Sequence, residues 1–420
     1  MIYDVCVIGG GASGLAAAVA AGREGASVLI LERMDKIGKK ILATGNGKCN
    51  LTNDRVVRGH IPAGAYRCRQ RNFPAQVLNA FDSGDTLSFF ESMGLYTKNR
   101  DEYRYPLSEQ ASSVSDVLKW ELAERKTDVM TGVEVRSVRV MKNGSGEGRF
   151  LIKTDKAVYR SRRMIMAAGG RSAEKLGSNG SGYELCRKLG HRILPTVPAL
   201  CALHCREKYF KELAGIRIQG RIQLLIDGRM SAEDRGELQL TAYGISGIPV
   251  FQVSRYGAYG LMEHRDVRAV LDLMPDLDRE TLYDRLRIQA KRHSEWNMGM
   301  LLSGMMNRKL AACLLKICGI DSAYTGRQMD EKLLKALVSR IKHLEVHITD
   351  TNGFEQSQVT AGGVDTREIN IHNMSSKKVR GLYIIGELLD VDGICGGYNL
   401  QWAWATGVLA GTDAGRSHDD

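Results

Sequence analysis

Residues 2–21 read IYDVCVIGGGASGLAAAVAA, an apolar run that ends in Gly9, Gly11 and Gly14 at GxGxxG spacing. Residues 26–32 read ASVLILE and deliver Glu32 roughly 20 residues further on. Together they predict strand, glycine turn, helix and second strand, the βαβ unit of a dinucleotide-binding fold. Each glycine has a separate task. Gly9 permits the tight turn out of the strand, Gly11 lets backbone approach a pyrophosphate, and Gly14 lets the helix pack closely on the sheet. Amides at the helix start then face the phosphates, where the helix dipole favours negative charge. Glu32 is placed to accept hydrogen bonds from an adenosine ribose and to repel an added 2′-phosphate, so FAD or NAD suits this turn better than NADP.

The other end of the chain reads as the second half of the same site. Residues 381–411, GLYIIGELLDVDGICGGYNLQWAWATGVLAG, predict a short strand, acidic residues, a glycine loop and a helix. The helix N-terminus supplies amides for negative charge at the far end of a cofactor. Between the two ends, residues 38–53 read GKKILATGNGKCNLTN. Gly45 and Gly47 allow amides to bend around an anion, and Lys39, Lys40 and Lys48 add positive charge.

Three stretches carry a family resemblance: residues 38–53, residues 359–364 (VTAGGV) and residues 386–407 (GELLDVDGICGGYNLQWAWATG). With them the chain resembles, over nearly its whole length, the BaiN/YhiN-like flavoproteins, which include aminoacetone oxidase-like and 3-dehydro-bile-acid reductase-like members. The resemblance implies an α/β fold: a Rossmann-like FAD-binding domain of glutathione-reductase type, interrupted by an inserted mixed β/α domain. It also implies that FAD is the cofactor. Val135 would offer its backbone to the adenine, MAAGG would place Ala168 and Gly169 over the adenine side, and VTAGGV would lay flexible backbone beside the ring. Glu387 stands where many flavoproteins place an Asp on the ribityl chain. The expected cofactor contacts are then Gly9, Gly11, Ser13, Gly14, Glu32, Arg33, Lys40, Gly47, Val135, Ala168, Gly169, Gly386, Glu387, Asn399 and Leu400.

The sequence divides into residues 1–190, the first part of the FAD domain; 191–344, an inserted substrate or cap domain; and 345–420, the returning FAD domain. In the first part, helical spacing marks residues 77–95 and 112–126, and YTKNRDEYRYPLSE between them reads as a loop. LGSNGSGYELCRKLGH lacks a preceding strand, so it reads as a turn and helix start rather than a second nucleotide loop. In the inserted domain, LTAYGISGIPV resembles the family's THxGxSGP segment but has Ala242 where the family has His, and Ile248 before Pro249.

Composition narrows the class of protein. The chain has 420 residues, 43% of them hydrophobic, enough for two buried cores. A net charge of +11 favours anionic ligands, yet the cations are scattered, so nucleic acid is an unfavoured partner. No apolar run approaches the ~18 residues of a membrane span, and the N-terminus reads as fold rather than signal. The expectation is a cytoplasmic enzyme. Nine cysteines without a CxxC pair argue against a disulfide framework, and Cys201, His204 and Cys205 read as packing rather than a metal site.

No serine-hydrolase elbow, HExxH or paired-carboxylate motif is present. The chemistry therefore rests on the cofactor. The leading expectation is an oxidoreductase in which NADH or NADPH, as a transient donor, reduces FAD, which then reduces an activated double bond of a small substrate. Tyr243 and Tyr398 are the candidate proton donors, with Cys49 and Cys395 behind them. The alternatives are an oxidase acting on a small amine with oxygen, and a basic flavoprotein that binds RNA.

Overall fold

Val5, Val7 and Ile8 are not separated by polar residues, and a strand apolar on both faces has to be covered on both. In the computed structural model, which describes residues 1–141 and 148–416, Ile2–Ile8 is accordingly the middle of five parallel strands. Their order is Asp128–Thr131, Val28–Glu32, Ile2–Ile8, Val158–Met166, Leu382–Ile384. Val7 pairs in register with Ile30 on one side and Ile165 on the other. The chain thus leaves the central strand toward opposite sides of the sheet, and ligands of open parallel sheets bind at the carboxyl ends of strands at such a point. Val135–Val140 and Phe150–Thr154 add an antiparallel hairpin on the first half of Val158–Met166.

The chain divides into two units, Met1–Thr196 with Gln358–Asp420, and Val197–Ser357. In the first, the glycine-turn helix Ala12–Arg23 packs against the last helix, Tyr398–Gly415. A Cβ at Gly407 would lie 2.5 Å from the Ser13 carbonyl oxygen, one at Gly411 would overlap the Ala17 carbonyl, and one at Gly415 would lie 2.8 Å from the Ala21 Cα. Three glycines at four-residue spacing thus bring the two backbones together. Trp402 and Trp404 fill the space beside them and are almost wholly buried. Their indole N–H groups donate to the carbonyls of Gly386 (3.1 Å) and Leu51 (3.0 Å), so neither polar atom is buried unpaired.

The second unit is a closed six-stranded antiparallel barrel. Its strands run in the order Leu203–Cys205, Gly244–Ser246, Arg229–Thr241, Arg217–Ile226, Val267–Asp272 and Leu344–Thr351. Even-numbered residues of Arg217–Ile226 point into the core and odd-numbered ones outward, the period-two pattern of a sheet with one wet face. Helices Arg279–Arg292, Met298–Ser303, Arg308–Ile317 and Glu331–Lys342 pack their apolar sides into the same core.

Two sequence expectations change here. The inserted unit runs from Val197 to Ser357 rather than 191 to 344, because Leu344–Thr351 pairs with Val267–Asp272 and Leu203–Cys205 in the barrel. His191 belongs to the first unit: its Nδ1 lies 3.0 Å from Glu368 Oε2 and its Nε2 2.9 Å from Ser376 Oγ. That serine oxygen already accepts from the amides of Lys378 and Val379, so its hydrogen goes to His191. A Ser–His–Glu line filled in this way is a staple between segments, not a nucleophile. The second change concerns residues 96–109, expected as a loop. They contain a hairpin, Thr97–Arg100 with Tyr103–Pro106, turned by Asp101 and Glu102 at φ 52° and 71°.

Candidate functional site: a dinucleotide cradle in the first unit

The turn after the first strand meets the turn after Val158–Met166. Gly9 has φ 106°, and a Cβ there would overlap the Ala167 carbonyl; a Cβ at Gly14 would overlap the carbonyl of Gly9. Close packing at both positions, and the left-handed φ at Gly9, demand glycine without any ligand. Gly11 differs, because a Cβ there would touch nothing within 4 Å. It opens the helix Ala12–Arg23 in an extended conformation with no side-chain cap, and the first helical bond is Leu15 N to Gly11 O. An uncapped helix start beside open space is what a diphosphate requires.

Glu32 closes one side of this cradle. Its Oε2 accepts from Gly10 N and its Oε1 from Met34 N, each at 2.7 Å, and the side chain is 8% exposed. The carboxylate is therefore held against the glycine turn. Arg33 comes next, half-buried. Val133 N donates to the Glu32 carbonyl (3.0 Å) and Gly132 N to that of Met34 (2.8 Å). Val133 is thus the residue brought beside Glu32; Val135 sits two residues on, paired with Thr154.

At the other end, Glu387 is joined to the loop of residues 38–53. Lys40 Nζ donates to Glu387 Oε2 at 2.7 Å and to the Ser172 carbonyl at 3.2 Å, while Thr360 N donates to Glu387 Oε1 at 2.9 Å. A Cβ at Gly170 would lie 2.5 Å from Thr360 Oγ1 and 2.8 Å from Glu387 Oε1. Gly386 is clamped by the last helix, its N–H donating to Thr406 Oγ1 and its carbonyl accepting from Trp402. Ser13 is buried under the same turn: a Cβ at Gly386 would lie 2.5 Å from its Oγ. Ala168 and Gly169 lie beside this node, and Gly182, on the helix Ser181–Lys188, packs on Ala168. Gly47, like Gly11, has open space where a Cβ would stand.

A sequence model described as the HI0933-like protein Rossmann domain matches residues 3–413. The chain belongs to the HI0933-like family. It is 43% identical over 410 residues, 97% of this chain and 98% of the relative, to a 3-dehydro-bile acid delta(4,6)-reductase of Clostridium scindens. It is 30% identical over 404 residues to a ribosomal RNA dihydrouridine synthase of Haemophilus influenzae, covering 95% of each chain, and 28% identical over 414 residues to one of Escherichia coli, covering 98% of each.

Several residues of this HI0933-like protein do other work than the sequence suggested. The lysines of residues 38–53 are neutralised: Lys39 pairs with Asp35, Lys40 with Glu387, and Lys48 with Glu109. VTAGGV is a wholly buried strand, Val359–Val364, rather than a flexible segment; its glycines let it approach the carbonyls of Pro195 and Leu388. The Asn399 side chain is spent on its own loop, accepting from Gly393 N and donating to the carbonyls of Gly393 and Ile394. Leu400 is half-buried in the last helix. Sequence reasoning missed Tyr103, against whose ring a Cβ at Gly396 would lie at 2.5 Å.

The proton-donor candidates separate by burial. Cys49 is wholly buried, and burial pushes its thiol up to about 12. Tyr398 is 3% exposed and burial raises its hydroxyl as well. Tyr243, in the second unit, is 40% exposed. Its hydroxyl accepts from Asn352 Nδ2 at 3.1 Å, Asn352 Oδ1 lies 2.8 Å from His204 Nε2, and the His204 ring packs against Tyr243 at 4.6 Å between centroids. That places an imidazole beside Tyr243 although Ala242 replaces the family's histidine. Among the described residues no cluster of metal-ligating side chains occurs and no helix is long and apolar enough to cross a membrane.

Proposed function

We propose that this HI0933-like protein is a FAD-dependent oxidoreductase that takes electrons from NADH or NADPH and reduces a carbon–carbon double bond conjugated to a carbonyl in a small molecule. The carrying observation is the cradle: open space at Gly11, an uncapped helix start, and a carboxylate fixed beside both. Its residues fit an ADP-containing dinucleotide, with Gly11 and the first amides of Ala12–Arg23 on the diphosphate and Glu32 toward the ribose. FAD, when bound, supplies hydride acceptance and donation.

The remaining work falls to the chain. Lys40, held by Glu387 and the Ser172 carbonyl, is a fixed donor at the C-terminal end of the sheet. The uncapped amides of Tyr398–Gly415 favour negative charge at that end. Saturating a conjugated double bond also needs one proton on the carbon next to the carbonyl. Among the candidate phenols, Tyr243 has Asn352 donating to its oxygen, which leaves its own hydrogen to give away.

The relatives' names support the reaction class. A 3-dehydro bile acid with Δ4,6 double bonds has unsaturation conjugated to a ketone, and the C5=C6 bond of uracil is conjugated to a carbonyl. A second reading, reduction of uracil in RNA, is favoured by two relatives spanning at least 95% of the chain and by the +11 charge. Anaerobic NAD(P)H oxidation assayed with a conjugated steroid enone and with a uridine-rich RNA separates the two. Turnover with the enone alone supports the first reading, with the RNA alone the second. Peroxide formed with a small amine in air, and no turnover with either, would replace both by an oxidase.

A further inference from the structure

The second unit carries a cavity of about 340 Å³ that the proposed reaction does not use. Four of its lining side chains are cations, Arg221, Arg235, Arg279 and Lys342, against the carboxylates of Asp272 and Asp278. The barrel register sets Arg221 directly opposite Arg235 on one neighbouring strand and opposite Asp272 on the other. Like charges facing each other across a strand pair are destabilising. The Arg221–Arg235 apposition is therefore unfavourable, and an anion held between the guanidinium groups would relieve it.

The two carboxylates do not fill that role. Asp272 belongs to Lys342, whose Nζ lies 2.8 Å from Oδ2 with both side chains under 10% exposed. The same ammonium donates to the carbonyls of Met274 (2.7 Å) and Leu277, which uses its three N–H groups and fixes the cavity wall. Arg221 reaches Asp272 only at 3.9 Å, outside hydrogen-bonding distance. Asp278 caps the helix Arg279–Arg292, its Oδ1 accepting from Thr281 N at 2.7 Å. Arg235 pairs with the exposed Asp276, a contact of the weak, exchangeable kind. Arg279 has no ion pair among the described residues. Two guanidinium groups thus face one recess without a close carboxylate.

We propose that this cavity binds the phosphate monoester of a small molecule. A tetrahedral dianion accepts two parallel hydrogen bonds from each guanidinium fork, which an ammonium cannot match. A polyanion, by contrast, is held by a line of cations spread over many phosphates, not by two arginines in one recess.

The test is calorimetric titration of the full-length protein in phosphate-free, low-salt buffer. The probes are inorganic phosphate, NADPH, NADH and a uridylate oligonucleotide. Inorganic phosphate should bind, and Arg221→Ala and Arg279→Glu should each weaken it roughly tenfold or more. Arg221→Ala should melt no lower than the parent, because it removes a like-charge contact. NADPH binding tighter than NADH, with the difference lost in both variants, would identify a nucleotide 2′-phosphate as the source. Equal binding of both nucleotides with the phosphate site intact would identify a phosphorylated substrate. No phosphate binding, binding unchanged in both variants, or binding of the oligonucleotide alone would overturn the proposal. Because both variants lie in the second unit, their outcome is separable from failure of the flavin reading.

Discussion

Lys40 Nζ lies 2.7 Å from Glu387 Oε2, joining two residues 347 positions apart in the chain. The pair is mostly buried, with 25% and 20% of the side chains exposed. Removing one partner leaves the other's charge poorly compensated. Glu387→Gln and Lys40→Met should each lower stability by about 1–3 kcal/mol and release flavin, while the double variant should lose less than the sum. Chemical denaturation and flavin content of the four proteins measure this. Strict additivity would show that the contact does not couple the two ends.

The glycines of the first turn should fail in different ways. Gly14→Ala puts a methyl onto the Gly9 carbonyl and should destabilise the protein by about 1–3 kcal/mol. Gly11→Ala has room for its methyl and an extended backbone that accepts it. It should leave the melting temperature of the flavin-free protein unchanged and weaken flavin binding at least tenfold. Loss of folding in Gly11→Ala would remove the argument that this glycine serves a ligand.

Acid should weaken the first unit through His191. Burial holds the imidazole below its ordinary value of 6.5. The unfolded chain therefore binds a proton that the folded one refuses: the stabilisation is complete above about pH 6.5 and is lost as pH falls below it, at no more than ~1.4 kcal/mol per pH unit. Glu368, held low with Lys378 and the Arg192 amide as partners, acts in the same direction at lower pH. His191→Asn should be less stable at pH 8 but show a flatter pH dependence between pH 6.5 and 5. Parallel denaturation curves at the two pH values for parent and variant would contradict this.

Cys49 should be chemically quiet. With its thiol buried and raised to about 12, iodoacetamide at pH 8 should leave it unmodified in the folded protein and label it after unfolding. Cys49→Ser should keep turnover within roughly threefold, since a proton donor contributes on the order of a hundredfold or more.

The same scale applies to the tyrosines. The phenol that donates the proton should cost about a hundredfold in turnover when changed to Phe, and Tyr243→Phe and Tyr398→Phe each test one candidate. Full turnover in Tyr243→Phe, measured in an anaerobic reductase assay, would return the proton donor to an open question and exclude this phenol.

The first βαβ unit was legible because each of its signals is local: a buried strand, three glycines, and an acidic strand end. Gly9 makes the tight turn at φ 106°, Gly14 lets the helix pack, and Gly11 has open space on its Cβ side. What sequence concealed was partnership between distant segments. Lys40 and Lys48 looked like free cations because no spacing marks Glu387 and Glu109 as their partners, whereas Asp35 stands four residues before Lys39 and was readable as its partner. VTAGGV looked flexible because glycine signals both freedom and close approach, and only the neighbouring carbonyls of Pro195 and Leu388 decide between them. Gly407, Gly411 and Gly415 carried a readable four-residue period, but its meaning depends on Ser13, Ala17 and Ala21 nearly 400 residues away. The barrel's edge was misplaced because Leu344–Thr351 runs on in sequence toward the returning first unit, yet its hydrogen-bond partners, Val267–Asp272 and Leu203–Cys205, lie far upstream.

The visible spectrum of the purified protein, recorded anaerobically before and after NADH or NADPH, decides whether this chain is a nicotinamide-reduced flavoenzyme. Oxidised flavin bands, about one FAD per chain released on heating, and bleaching by a nicotinamide are expected. A folded protein that neither carries flavin nor takes it up on reconstitution would contradict the FAD assignment, and flavin bands that no nicotinamide bleaches would contradict the reductase half of the proposed function.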